Sequence, residues 1–198
     1  MQGTTGSLPF SLKGMVFIAF FAAGLTGCAS VKLPPPTAKA ETVLALRSAN
    51  LSPAMVGEFR LADGKDPDMD KEVGGLRGSS LTAASGSFSQ QLKDEVVTAL
   101  QAAALYDESA SVRIEGRLTD SMVDAAIKTG TGRLAARFTV DRDGKRRYDK
   151  ELVVESSWPS SFIAAIALPK AINEYGALYK KLTDKLFADK EFQGALKP

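Results

Sequence analysis

Apolar and polar residues alternate strictly from Val112 to Thr119, with Val112, Ile114, Gly116 and Leu118 interleaved with Arg113, Glu115, Arg117 and Thr119. A period of two predicts a half-buried strand. A second alternating run, Leu134, Ala136, Phe138 and Val140, leads into Asp141-Arg142-Asp143-Gly144-Lys145, whose Asp-Gly pair predicts a tight hairpin. The return strand, Tyr148 to Trp158, carries Leu152, Val154 and Trp158 on one face, so these runs form an antiparallel meander. Ahead of them the period lengthens: Phe88, Leu92, Val96, Ala99 and Ala103 recur at helical spacing, and Ser87 with Gln90 fits a capping box. A last helix is predicted from Pro169, at its first turn, with Ile172, Tyr175, Tyr179, Leu182 and Leu186 along one face; Phe192, beyond it, is expected to tuck back onto the domain. Two short, partly alternating runs, Thr42 to Leu46 and Met55 to Leu61, read as early strands. Between the second of them and Ser87, residues 62–86 are dense in Gly, Asp and Ser and read as a long loop of the kind that is usually functional or unstructured. The expected architecture is α+β, a two-layer sandwich in which an antiparallel sheet of about four to five strands packs against two helices.

The N-terminus follows a different logic. Met1 to Gly14 is polar, with Lys13 at its end, and Met15 to Leu25 is apolar and uncharged. Such a run is shorter than the roughly 20 residues that cross a bilayer as a helix, so it reads as an export signal rather than a permanent span. Leu25-Thr26-Gly27-Cys28 then resembles the lipobox of bacterial lipoproteins, which implies a diacylglyceryl group on the Cys28 thiol and cleavage between Gly27 and Cys28. The residue after the cysteine is Ala29 rather than Asp, which in the same resemblance implies release to the outer membrane, on its periplasmic face. Pro34-Pro35-Pro36 favours an extended polyproline path, so 28–41 reads as a lipidated tether able to hold the domain on the order of 30 Å from the lipid. The organisation expected is therefore a signal at 1–27, a tether at 28–41 and one domain at 42–198.

Composition narrows the chemistry. Cys28 is the single cysteine and there is no histidine, which removes Ser-His-Asp and Cys-His nucleophilic sites and His-ligated zinc. With 25 basic against 23 acidic residues there is no field strong enough to recruit nucleic acid, and Arg146-Arg147-Tyr148 at the hairpin base reads as a solvated face. Asp66, Asp68 and Asp70 alternate as calcium-loop carboxylates do, but Lys71 stands where an EF-hand has its glycine. No metal or cofactor is expected. A serine-lysine hydrolase pair would be possible at Ser89 and Lys93, one helical turn apart. A lipid- or peptidoglycan-binding module has no particular support in the charge or the aromatics.

The order of elements, from lipobox and proline segment to the final helix, resembles small periplasm-facing lipoproteins of the YajG-like family, and shares its general plan with LptE-like and ABC-transport auxiliary lipoproteins. The resemblance implies a non-catalytic partner of an envelope assembly or transport complex. Ala29-Ser30-Val31 replaces the apolar motif that follows the lipidated cysteine in LptE-type proteins, which argues against a lipopolysaccharide-translocon role. The expected partners are the membrane, through lipid on Cys28, and another envelope protein. The docking candidates are the 62–86 segment and the run holding Phe162, Ile163, Ile166 and Leu168, whose alternative is a buried crossover into the last helix.

Overall fold

The alternating runs do form the heart of the sheet. In a computed structural model that describes Gly3 and residues 30–198, strands β5 (Val112–Asp124), β6 (Lys128–Arg142) and β7 (Lys145–Ser160) make the antiparallel meander. Asp143 and Gly144 take the two left-handed positions (φ 50° and 73°) of a two-residue turn between Arg142 and Lys145, as the Asp-Gly pair predicted. Apart from Gly3, the signal segment, with Gly27, and Cys28 are outside the described residues.

Strand β2 (Met55–Leu61) joins the edge of β5 in parallel, giving the order β2-β5-β6-β7. A parallel neighbour needs a crossover, and here it is made by α2 (Phe88–Ala103), which lies across β2. Ser87 caps it, its Oγ accepting from Gln90 N at 3.2 Å; the Gln90 side chain turns instead to Asp94, so only half of the expected capping box forms. Helix α3 (Ala164–Ala188) covers β6 and β7, and α4 (Lys190–Leu196) ends the chain. Phe192 is tucked back as expected, fully buried with its ring 5.5 Å from Tyr148.

The architecture is α+β with helices on one face of the main sheet, and several local expectations are corrected. Thr42 to Leu46 is not a strand but part of helix α1 (Ala40–Ser48). Val43 and Leu46, three residues apart, face the core, whereas Leu44 is exposed; in so short an apolar run the two periods cannot be told apart. The 62–86 segment is not one loop. It holds a single 3-10 turn (Pro67–Asp70) and strands β3 (Glu72–Leu76) and β4 (Ser79–Thr82), joined by Arg77-Gly78 with φ of 52° and 88°. These pair with β1 (Ser30–Lys32) into a second sheet, β1-β4-β3. Of the residues expected to form a tether, 30–33 lie against the domain: Ser30 pairs with Ser80, Leu33 N donates to Thr82 O, and Leu33 is buried. Pro169 is inside α3 rather than in its first turn, and β7 continues through Pro159, which an edge strand tolerates because no ladder hydrogen bond is required on its free side.

The core fills the layer between sheet and helices. Phe138 and Phe59 meet edge to face at 6.2 Å. Phe88, Tyr175 and Tyr179 cluster beneath α2 and α3, with Phe88 and Tyr175 centroids 5.8 Å apart. The Tyr175 hydroxyl lies 2.6 Å from Ser121 Oγ and 3.2 Å from the Tyr179 hydroxyl, so the buried phenols satisfy one another. Burial pushes the Tyr175 phenol up to about 12 and raises that of Tyr179 well above its ordinary value, so both stay neutral.

Candidate functional site

The feature that asks for an explanation is an apolar end of the molecule. Phe162, Ile163 and Ile166 are 75%, 45% and 58% exposed, and Ile127, in the β5–β6 turn, is 63% exposed. Large aliphatic and aromatic side chains grouped at one exposed place mark contact with something other than water. The register Lys128↔Ser160 sets the β5–β6 turn beside the β7–α3 junction, so residues remote in sequence share this end. Leu168, the fourth expected docking residue, packs against the core instead. A buried crossover is thereby corrected for the other three: α3 begins at Ala164, and its first turns carry Ile166 outward and Ala167 inward.

One side chain holds this end together. Arg77 donates from Nε to Ala125 O at 2.7 Å, from Nη1 to Phe162 O at 3.0 Å, and from Nη2 to Ser161 O at 2.6 Å and Ser160 Oγ at 3.3 Å. A guanidinium fork is suited to this, offering fixed donors in one plane to several carbonyls. The backbone beside it is equally close: Ala125 N donates to Gly75 O at 2.8 Å. A Cβ at Gly75, where φ is 81°, would sit 2.0 Å from Val123 O, so only glycine fits. Neither Arg77 nor Ile127 stood out in the sequence. Arg77 sits in a Gly-rich stretch without period, and Ile127 is a single apolar residue before Lys128; their partnership with Phe162 depends on pairing across more than thirty positions.

The start of α3 is lightly tied. Ile163 at its N-cap makes no side-chain capping bond, and Pro169 has no N–H to donate to the carbonyl four residues earlier. What holds it is Ser161 Oγ, accepting from Ile163 N at 3.0 Å, together with Arg77.

A second feature is the groove between α2 and α3 that Leu33 to Pro35 covers. Gln91 Nε2 donates to Pro34 O at 3.2 Å, Lys180 Nζ donates to Thr37 Oγ1 at 2.6 Å, and Lys39 pairs with Asp184. Glu95, 7% exposed, lies beneath this segment, and burial pushes its carboxyl up to about 7. Lys180 and Lys39 oppose that rise, while Asp184 and Asp94 add to it.

The other candidates are engaged in structural tasks. Ser89 is buried, and its Oγ donates to Asp70 Oδ2 at 2.9 Å. Asp70 also receives Ser89 N at 2.6 Å and Ser87 Oγ at 2.8 Å, acting as an anionic cap on α2. No hydrogen bond joins Ser89 to Lys93 among the described residues. Asp66 accepts from Asp68 N to cap the 3-10 turn, and Asp68 faces Lys71, so the three alternating carboxylates serve different neighbours. Tyr148 is buried, so Arg146-Arg147-Tyr148 offers no exposed ring. The outer sheet face is covered by ion pairs, among them Arg133 with Asp120 at 2.8 Å, Arg117 with Glu58 at 3.1 Å and Arg137 with Asp149 at 2.5 Å.

No family model matches this sequence, and no curated protein does. Among solved structures the fold is shared with XCC0632 from Xanthomonas campestris, a protein of the DUF330 family: TM-score 0.58 at 13% identity, covering 84% of this chain and 96% of that one. Weaker likenesses are to a candidate lipoprotein from Caulobacter crescentus (TM-score 0.41, 14% identity, 80% of this chain and 99% of that one) and to lipoprotein GNA1162 from Neisseria meningitidis (TM-score 0.28, 9% identity, 63% and 99%).

Proposed function

We propose that this protein is a lipid-anchored envelope lipoprotein, on the periplasmic face of the outer membrane, that works by binding, as a non-catalytic partner of an envelope assembly or transport complex. The observation that carries the reading is the lipobox Leu25-Thr26-Gly27-Cys28, which stands directly ahead of a strand built into the domain. A lipobox at that place makes Cys28 the first residue of the mature chain and the domain its immediate continuation. The resemblance of the sequence's lipobox, meander and final helix to small periplasm-facing lipoproteins of the YajG-like kind supports the same reading. The task given to Ser89 supports binding over hydrolysis, since its hydroxyl is committed to Asp70.

The test is metabolic labelling with palmitate in cells, followed by cross-linking and recovery of the protein. Wild type should take up label and bring down a reproducible envelope protein, and Cys28→Ser should take up none, because only a thiol can receive the diacylglyceryl group. Equal labelling of Cys28→Ser would overturn the anchor. A wild type that is labelled yet never captures an envelope protein would overturn the role as a partner.

A further inference from the structure

We propose that the apolar end formed by Ile127, Phe162, Ile163 and Ile166 is seated in the lipid surface itself, as a second membrane contact beside the acylated Cys28. The inference rests on the lipid anchor proposed above and adds what the domain does once anchored.

Strand β1 runs parallel to β4, with Ser30 opposite Ser80. Both strands therefore run away from the Arg77-Gly78 turn, so β1 begins, at Ser30, on the side of the second sheet where that turn lies. Cys28 is two residues before Ser30, so its Cα is within about 8 Å of Ser30 Cα however the chain runs. Arg77, in that turn, binds Ala125 O and Phe162 O directly. The start of β1, two residues after Cys28, and the apolar end thus both lie beside the Arg77-Gly78 turn.

The chemistry of the end agrees with this. Its large side chains come from two separate segments, the β5–β6 turn and the start of α3, and both are exposed there. Lys128, exposed and next to Ile127, is placed to keep its ammonium among phosphate groups while the apolar residues enter the acyl boundary. Among the described residues no helix is long and apolar enough to cross a membrane, so the contact is interfacial. Its consequence is orientation. Acyl chains on one residue leave a domain free to swivel, whereas a second contact formed by two tied segments defines which face is presented to the periplasm.

The full-length lipidated protein in vesicles of phosphatidylethanolamine and phosphatidylglycerol tests this. Acylation consumes the Cys28 thiol, so Ile163→Cys supplies the one free thiol for an environment-sensitive fluorophore; Ile127→Cys is a second, independent position, and Arg137→Cys on the outer sheet face is the control. Labels at 163 and 127 should shift to the blue and be quenched by lipids carrying a shallow nitroxide, while the label at 137 stays solvent-like and unquenched. Solvent-like emission at both 163 and 127 from protein that carries its lipid would overturn the second contact and leave the anchor standing. Emission that is shielded only in native envelope membranes, and not in pure lipid, would overturn it in favour of a protein occupant. If Cys28 is found unacylated, it is the anchor that fails. In the lipidated protein, changing Phe162 and Ile166 together to Ser should return the emission of the label at 127 towards its solvent value, and an unchanged blue shift would count against the proposal.

Discussion

Two exposed regions of this domain are built in opposite ways. The outer face of the sheet presents Arg117, Arg133 and Arg137, each beside a carboxylate on a neighbouring strand. The end near Phe162 presents isoleucines and a phenylalanine instead. Both regions are supported by the same meander, so the difference does not arise from folding needs: neither set of side chains is buried. Cross-strand ion pairs suit a surface that stays in water, where they keep a wide face soluble and add little stability. An apolar end gains nothing from water, and on the proposal above it is retained because the lipid surface meets it. The contrast shows that exposure alone says little, and that the environment of a surface can be read from what it would gain by leaving the solvent.

The most severe way to break the comparison is to remove the support that both regions share. Phe138 is fully buried against Phe59, and Phe138→Ala should cost about 3–5 kcal/mol in chemical denaturation, a large part of what such a domain has. An unchanged midpoint would show that the inner face of the meander has been assigned wrongly.

Arg77→Ala separates the regions. It removes the donors that hold Ala125, Ser161 and Phe162 together, and should cost about 1–2 kcal/mol, since the part-buried carbonyls of Ala125 and Ser161 are left with poorer partners. Hydrogen exchange should rise around residues 125–127 and 161–166 while the outer sheet face keeps its protection. Arg77→Lys should rescue little, because an ammonium cannot reproduce the fork. Loss of protection spread evenly over the sheet would show that Arg77 does not act locally.

Acidity probes the interior between the regions. Glu95 holds its proton in the folded chain up to about pH 7, against a reference of 4.5. Between those values the native state binds a proton that the unfolded chain has released, so its contribution is complete below about pH 4.5 and is lost as pH rises through 7. Glu95→Gln should flatten the fall in melting temperature over that window and raise it at pH 8 by on the order of a few degrees. A variant with the full pH dependence of wild type would move the cause elsewhere.

The smallest effects sharpen the contrast most directly. Arg117→Gln should change stability by less than about 1 kcal/mol and lessen its dependence on salt. Ile163 and Ile166 changed together to Ser should alter the melting temperature hardly at all, within the roughly 0.5 kcal/mol usual for surface positions, while the blue shift of a label at Ile127→Cys on vesicles diminishes. A marked fall in melting temperature would place the pair in the core and remove the distinction between the two regions.

How much of this was legible in the sequence depends on how far apart the interacting residues are. Helix α2, the Asp143-Gly144 turn and the alternating halves of β5, β6 and β7 follow from local period and turn chemistry, which a window of a few residues contains. The lower halves of β5 and β6 were hidden because they are made of small and mixed residues; Gly130 and Gly132, for example, leave room for Trp158 and Leu178. Helix α1 was mistaken for a strand because five apolar-rich residues cannot distinguish two periods. Strands β3 and β4 escaped because only Val73, Leu76 and Leu81 of their nine residues are buried. Of the candidate site, the sequence pointed to Phe162, Ile163 and Ile166, but also to Leu168, which packs inward.

The linear motif Leu25 to Cys28 is complete in the sequence, because a processing signal of the kind it resembles is read from the chain before it folds. By itself the sequence also determined the meander, its hairpin and the amphipathic helix that packs on it, since each is set by neighbours within one or two turns. Only the tertiary structure decided that 30–33 joins a second sheet, that β2 lies parallel to β5, and that Arg77 binds Ala125 and Phe162. Those contacts join segments tens of residues apart, and no local pattern carries the free energy of closing such distances; it comes from packing the whole core.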